Sequence, residues 1–308
     1  GYRINFGTEV EIPMVDNGVA PDLLGGDGVF TATIPASAYS SGDMVRWCVT
    51  AADTAGTETR EPMFLDADGS PEYFGTIVTD SSINTQLPVF QYYVQNTSAA
   101  GTRTGTRASV QFLGEFYDNV FIRLRGANTT HGRKFEFNEG HHFRFDPSIP
   151  RVDEINLNER GRDSTSLRQS LAWETYVNAE VPGSLSAPWH VRRNGGFHAV
   201  RVFVEQPDRD LLRRNDIDPD GALYKLYTDF THGNIRDEQV PRKKTRLDED
   251  QSDLQALADG INPSNPNRFK YMFDNINIPA IIEYWAATVI IHDNDQTHKN
   301  YYWKKYLE

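Results

Sequence analysis

The chain has 308 residues, enough for two domains, and a formal net charge of −12. That acidity argues against a nucleic-acid binder, which needs a basic face, and 38% hydrophobic with 12% aromatic residues excludes a disordered chain. No apolar run is long enough to cross a bilayer, and a single cysteine, Cys48, rules out an internal disulfide or a cysteine-built zinc site.

The first eighty residues are rich in Gly, Asp, Thr and Val, in short runs between turn signals. Val10, Ile12 and Met14 alternate. Residues 29–34 read as a strand ended by Pro35, and residues 44–51 as another, with Val45, Trp47 and Val49 on one face and Cys48 a buried thiol. A turn follows at 53–56. Strands at this spacing predict an antiparallel β-sandwich over 1–80. Asp16, Asp22 and Asp27 lie in an acidic, glycine-rich loop. Calcium favours clustered carboxylates, and Asp beside Gly is also an ordinary turn residue; the spacing is not that of an EF-hand, and both readings stand. Residues 79–87 are polar and run into Pro88, the expected domain boundary. A chain that opens at Gly1 in mid-pattern and stops at Glu308 after an aromatic run reads as a piece of a longer protein, so the lack of a targeting signal carries no information.

Residues 88–95 and 108–113 read as strands. In the next, Val120, Ile122 and Leu124 share one face while Arg123 and Arg125 share the other. The chain then breaks into small residues, Gly126 to Thr130 with Asn128 among them, and returns as Arg133-Lys134-Phe135. A strand, a glycine-containing loop and a basic return are the parts with which a kinase covers ATP phosphates; a surface hairpin with solvated Arg and Lys shows the same pattern. Residues 152–157 make a further strand. Asp163 or Ser164 suits a helix N-cap, and Leu167, Leu171 and Glu174 follow at i, i+4 and i+7. Glu174 on that stripe either pairs with Lys134, as kinases pair a helical Glu with the phosphate-binding Lys, or faces water.

Residues 190–193 and 196–205 flank Asn194-Gly195, the signature of a type I′ hairpin turn. The second strand ends on Glu205, and Glu205-Gln206-Pro207 suits a hinge beside adenine or a plain strand end. Lys225 stands between aromatics, to snorkel into water or meet a phosphate. Residues 262–267 break the pattern, Pro279 suits a first helical position, and Ile281, Ile282, Trp285, Val289 and Ile290 predict an apolar helix packed into a lobe. It delivers the chain into a polar stretch in which Asp295 and Asn300 are five apart. The kinase catalytic loop H-R-D-x-x-x-x-N has that spacing, its Asp accepting the substrate hydroxyl proton and its Asn holding magnesium. His292 precedes Asp295 by three rather than two, so the match is to spacing; a helix end turning into a strand has the same residues. His141 and His142 diverge if on a strand, which argues against a metal pair.

Taken in order, several stretches of 88–308 resemble the CotH (spore-coat protein H) kinases: L-R-G-A-N at 124–128, I-N-L-N and D-S-T-S-L-R-Q-S-L-A between 155 and 172, R-N-G-G-F-H-A-V-R-V-F-V-E-Q at 193–206, G-A-L-Y-K at 221–225 and H-D-N-D-Q-T-H-K-N-Y-Y from 292. The D-x-x-G-G-D-G-V-F-T-A and V-R-W-x-V-T-A-x-D-x-x-G patterns of the first eighty residues resemble bacterial immunoglobulin-like modules, which implies a spacer or interaction role. The resemblance implies an α+β protein: an N-terminal all-β sandwich over 1–80, then over 88–308 a two-lobed atypical protein-kinase-like domain truncated at its C-terminus. It implies ATP and Mg²⁺ as cofactors, transfer to Ser or Thr of a secreted or coat protein, and an extracellular or cell-surface location. Asp295 would be catalytic and would hold the metal with Asn300; Arg125, Asn128 and Lys134 would lie near the phosphates. The family has a further metal-binding Asp beyond N-Y-Y that these residues do not reach, which implies weak or absent kinase activity here. Some relatives act as invasins, so the alternative is a non-catalytic adhesion or structural protein on the same scaffold.

Overall fold

The structure, a computed structural model, describes residues 1–126, 129–159, 161, 163–227, 242–293 and 301–305. Near the start of the chain it has strands β1 (Tyr2–Ile4), β2 (Met44–Trp47), β3 (Val49–Ala52), β4 (Glu58–Glu61) and β5 (Phe74–Ile77). Sheet β1–β2–β5 is antiparallel, and β3 with β4 forms a separate hairpin. The run at 44–51 is thus split at Cys48, which is buried as expected. Residues 29–34 are not a strand: Thr31 alone bridges to Val15, and Val29 and Phe30 are each 60% exposed. Val10 and Met14 are exposed too. Strand propensity reflects packing against neighbours, and among the described residues no apolar layer covers these side chains.

A closed barrel follows. Its strands are β6 (Val89–Tyr93), β7 (Thr106–Phe112), β8 (Glu115–Leu124), β9 (Arg133–Glu136), β10 (Glu154–Asn158), β11 (Ser186–Arg193) and β12 (Gly196–Glu205), in the order β10–β12–β11–β6–β7–β8–β9. Pairs from β6 through β10 are antiparallel, whereas β6 and β11 run parallel, with Val89 opposite His190 and Tyr92 opposite Arg193. Asn194 and Gly195 both have positive φ, 50° and 81°, as the expected I′ turn requires. Alternate residues point inward, and an aromatic cluster lies among them. Phe90 meets Phe135 edge-on at 5.0 Å, and Trp189 stacks on Phe203 at 4.3 Å and 3°. Phe112 and Phe143 complete the cluster. Such pairs add about 0.5–1.5 kcal/mol each beyond their buried area.

The N-terminal sheet and the barrel are joined within one unit, residues 1–166 with 187–203. Asp118 on β8 forms a buried ion pair with Arg46 on β2 at 3.6 Å, the side chains 2% and 7% exposed. The same carboxylate accepts from the backbone N–H of Glu72 and Tyr73 at 3.1 and 2.9 Å and from Ser109 Oγ at 2.6 Å. Arg46 is flanked by the rings of Phe6 and Tyr73, 5.3 and 5.0 Å away. Burial lowers its pKa, and Asp118 opposes that. Arg192 pairs with Asp80 at 2.6 Å, and the Tyr93 hydroxyl donates to the Gly42 carbonyl. Gly75 permits another approach: a Cβ there would fall 2.3 Å from the Phe116 ring.

The second unit comprises residues 167–186 and 204–308. It holds α1 (Arg168–Asn178), α2 (Arg209–Arg214), β13 (Ala222–Leu226), β14 (Arg242–Lys243), α3 (Ser252–Ile261), α4 (Arg268–Asn275), α5 (Ile278–Ile290) and β15 (Tyr301–Lys305). Sheet β14–β13–β15 packs Tyr224 and Leu226 against Leu254 and Leu257 of α3, with Tyr271, Ile276 and Trp303 around them. Helix α1 corrects the expected stripe. Leu167 and Leu171 are 44% and 56% exposed, and the larger Trp173 and Tyr176 take the packed face, against Tyr284 and Ala287 of α5. Asp163 does not cap α1; it accepts from the N–H and hydroxyl of Thr165 in a preceding turn. Pro279 lies in the first turn of α5, capped by Asn277. Yet Ile282, Trp285, Val289 and Ile290 are exposed, because the packed side is fixed by Ala287 and by Thr288, bonded to the Tyr176 hydroxyl at 2.9 Å. No helix among the described residues is long and apolar enough to cross a membrane.

Removing one member of a buried ion pair leaves the other charge stranded. Asp118→Ala should destabilise the first unit by about 3–5 kcal/mol in chemical denaturation followed by tryptophan fluorescence. Arg46→Met combined with Asp118→Leu should recover most of that loss.

Candidate functional site

Strands β8, β9 and β10 have two unlike faces. Ile122, Phe135 and Ile155 line the barrel core, all fully buried. The opposite face carries Arg123, Lys134 and Asn156 on one cross-strand row, since Lys134 is opposite both Arg123 and Asn156. Arg123 pairs with Glu136 at 2.9 Å. Lys134 pairs with Glu154, the two side chains only 13% and 18% exposed. Burial raises the Glu154 pKa, and the Lys134 ammonium pulls it back down.

The carboxylate that Lys134 meets is therefore Glu154, a strand neighbour, where the helical pattern pointed to Glu174. Glu174 is exposed on α1, because Trp173 and Tyr176 turn the packed side of that helix away from it.

The hairpin after β8 begins with Arg125, whose N–H bonds the Gly132 carbonyl at 3.1 Å and whose guanidinium donates to Asn158 Oδ1. Gly126 follows at φ 88°, and the Thr129 hydroxyl donates to the Arg125 carbonyl. Asn128 lies outside the described residues. Arg125 and Lys134 thus belong to one short hairpin, and guanidinium and ammonium donors suit phosphate oxygens.

In the second unit the ammonium of Lys225, on β13, lies 5.0 Å from the Tyr227 ring centroid and 5.8 Å from that of Tyr302, which is opposite it on β15. Helix α5 ends with His292 N–H on the Val289 carbonyl at 3.1 Å and Asp293 N–H on the Thr288 carbonyl at 3.2 Å. That is the double bond of a Schellman motif, and His292 occupies its left-handed position at φ 55°. The polar stretch thus starts from a fixed helix end and is followed by a paired strand. Asp295 and Asn300 themselves lie outside the described residues.

Glu205, the last residue of β12, is 3% exposed. Its carboxylate accepts from Arg214 of α2 at 2.6 Å and from the Leu185 N–H at 2.9 Å, while its own N–H bonds the Leu185 carbonyl. It is an anchor for the strand end. In the N-terminal loop, carboxylate oxygens of Asp16, Asp22 and Asp27 lie within 4.8 Å of one another. Asp22 accepts from the N–H of Asn17 and Gly18, Asp16 from Gly28, and Asp27 from Val29. The backbone bonds lower the Asp22 pKa, that from Gly18 most. Turn chemistry explains these acids, and the calcium expectation gains no support. His141 packs on the Tyr117 ring at 4.8 Å.

Glu154 was missed in the sequence. The available signal was its place within the strand read over 152–157, but the cross-strand register that brings it to Lys134 is not legible from spacing.

A family model described as CotH kinase protein matches residues 122–308. No curated protein matches the chain.

Two measurements probe this geometry. The folded state holds the Glu154 proton more tightly than the unfolded chain does. Ionising Glu154 therefore disfavours folding, and stability is lost as pH rises from the ordinary carboxylate value through the raised one. Glu154→Gln should flatten that decline in urea denaturation as pH rises above the ordinary carboxylate value. At the helix end, His292→Gly should stabilise the second unit by about 1 kcal/mol, the cost of a left-handed L-residue, read as an upward melting shift.

Proposed function

This chain belongs to the CotH kinase family, and we propose that it is a two-lobed atypical protein kinase that uses Mg-ATP to phosphorylate Ser or Thr of a secreted or cell-surface protein. The observation that carries this reading is the partly buried Lys134–Glu154 ion pair beside the Arg125 hairpin, inside the region that the family model matches. Kinases hold the phosphate-contacting lysine by a carboxylate in this way. Here the carboxylate comes from an adjacent strand.

In this proposal Lys134 and Arg125 bind phosphate oxygens, with Asn128 of the same hairpin and Lys225 as further contacts. Glu154 aims the Lys134 ammonium. Glu174, exposed, and Glu205, bound to Arg214, are given no contact with nucleotide. Asp295 orients the acceptor hydroxyl and takes its proton as the new O–P bond forms and the bond to the ADP oxygen breaks. Asp295 and Asn300 would hold Mg²⁺, which would supply positive charge to offset that of the phosphates.

The test is incorporation of labelled phosphate from Mg-ATP into Ser/Thr-containing acceptor protein. Asp295→Ala should abolish it, and Lys134→Met should lower it about 10²–10³-fold, the usual effect of losing one charge-stabilising group. Equal labelling in the Asp295 variant would reject its role. No labelling by the unaltered protein, with a melting temperature that saturating Mg-ATP leaves unchanged, would favour the adhesion reading, because a ligand of the native state must raise it.

A further inference from the structure

The other face of the same strands carries a second feature, independent of the reading above. The C-terminal ends of β6, β8, β10 and β11 and the N-terminal ends of β9 and β12 meet at one end of the barrel. This follows from the registers: Tyr92 is opposite Arg193, and Arg133 is opposite both Leu124 and Leu157. Arg133 shares the inward phase of Phe135. Arg193 shares that of Trp189 and Val191, and Tyr92 that of Phe90; all these core residues are buried. His198, near the start of β12, meets the Tyr92 ring edge-on at 6.3 Å. Two guanidiniums, an imidazole and a phenol therefore converge where the aromatic core ends.

Their charges are not balanced. Among the described residues neither Arg133 nor Arg193 has an ion-pair partner. Arg133 donates Nη1 to the Thr130 and Gly132 carbonyls. Its Nη2 lies 3.5 Å from where a Cβ on Gly101 would be. Arg193 interacts with the Tyr92 hydroxyl. Arg201 and His131 add to the positive field, and Glu159 is the carboxylate that acts on Arg133. Burial and then Arg193, Arg201 and Arg133 push the His198 pKa down to about 4. Half-buried like charges held close together are unfavourable, and an anion among them would offset that.

We propose that this end of the barrel, built by Arg133, Arg193, His198 and Tyr92, is an oxyanion site that takes a phosphate group. Guanidinium forks match phosphate oxygens in pairs, two of them suit a dianion, and the imidazole and phenol supply further donors. The mouth of a β-barrel is a common place for such a site. The phosphate has two sources, free inorganic phosphate or the terminal phosphate of a nucleotide.

The readout is the His198 imidazole, followed by NMR while the unaltered protein is titrated with inorganic phosphate against chloride at equal ionic strength. A bound dianion favours the imidazolium, so the His198 pKa should rise by about one unit or more. Arg193→Gln and Arg133→Gln should each weaken the response about tenfold or more. Arg193→Lys, which keeps charge without the fork, should fall between. A response to ADP but to neither phosphate nor adenosine would support the site with the nucleotide as its source. Lys134→Met, on the opposite face of β9, should leave the response to inorganic phosphate in place, which separates this site from the transfer reading. No change in His198 with phosphate or ADP would overturn the proposal, as would a response unaltered by both arginine-to-glutamine changes.

Discussion

The buried pair of Arg46 and Asp118 is the interaction on which the first unit depends. Asp118 has one carboxylate and uses it on Arg46, on two successive backbone N–H groups and on Ser109. Its backbone carbonyl also accepts from Asn138 at 2.8 Å. One residue of β8 thus specifies where β2, the turn before β5, β7 and the chain after β9 must lie. An apolar pair of equal volume would bury as well but would not impose this register, because hydrophobic contact has no direction. A buried carboxylate needs donors around it, and those that meet Asp118 set the sheet at the N-terminus against the barrel in one way.

That fixed register gives β8, β9 and β10 their two characters. The inner face is apolar and supplies burial, while the outer face sets cations and carboxylates in rows. Lys134 and Arg133 are adjacent in sequence and on opposite faces of one strand, so a period of two separates the proposed nucleotide contact from the oxyanion site. Membership of the CotH family and the Lys134–Glu154 pair point the same way. They are independent, since the first rests on the order of residues and the second on which strands are neighbours.

Much of the strand pattern was legible because it rests on local rules. The alternation of Val120, Ile122 and Leu124 and the Asn194-Gly195 turn each report on their own backbone. What depended on partners was not. The stripe of Leu167 and Leu171 was misread because volume, not period, chose Trp173 and Tyr176 for the packed face. The apolar ring of α5 likewise could not show which side would meet α1. For the candidate site, Arg125 and Lys134 were readable as charges on the two sides of a glycine-containing loop, but Glu154 required knowing that β10 pairs with β9. Arg193 and His198 flank one hairpin turn, but Arg133 is some sixty positions earlier and is brought to the same end of the barrel only by strand pairing.

That closure has a consequence for how the protein is made. The parallel pairing of β6 with β11 joins Val89 to His190 across about a hundred intervening positions. Long-range pairing of this kind is slow, because chain entropy is lost before contacts reward it. While the polypeptide leaves the ribosome, β6 to β9 can form a meander early, but the free side of β6 stays unpaired until residues 186–193 arrive. An open apolar edge is a template for the wrong neighbour. Crowded nascent chains would therefore tend to join through β6, and a chaperone covering that edge would help the protein most during the interval before β11 emerges.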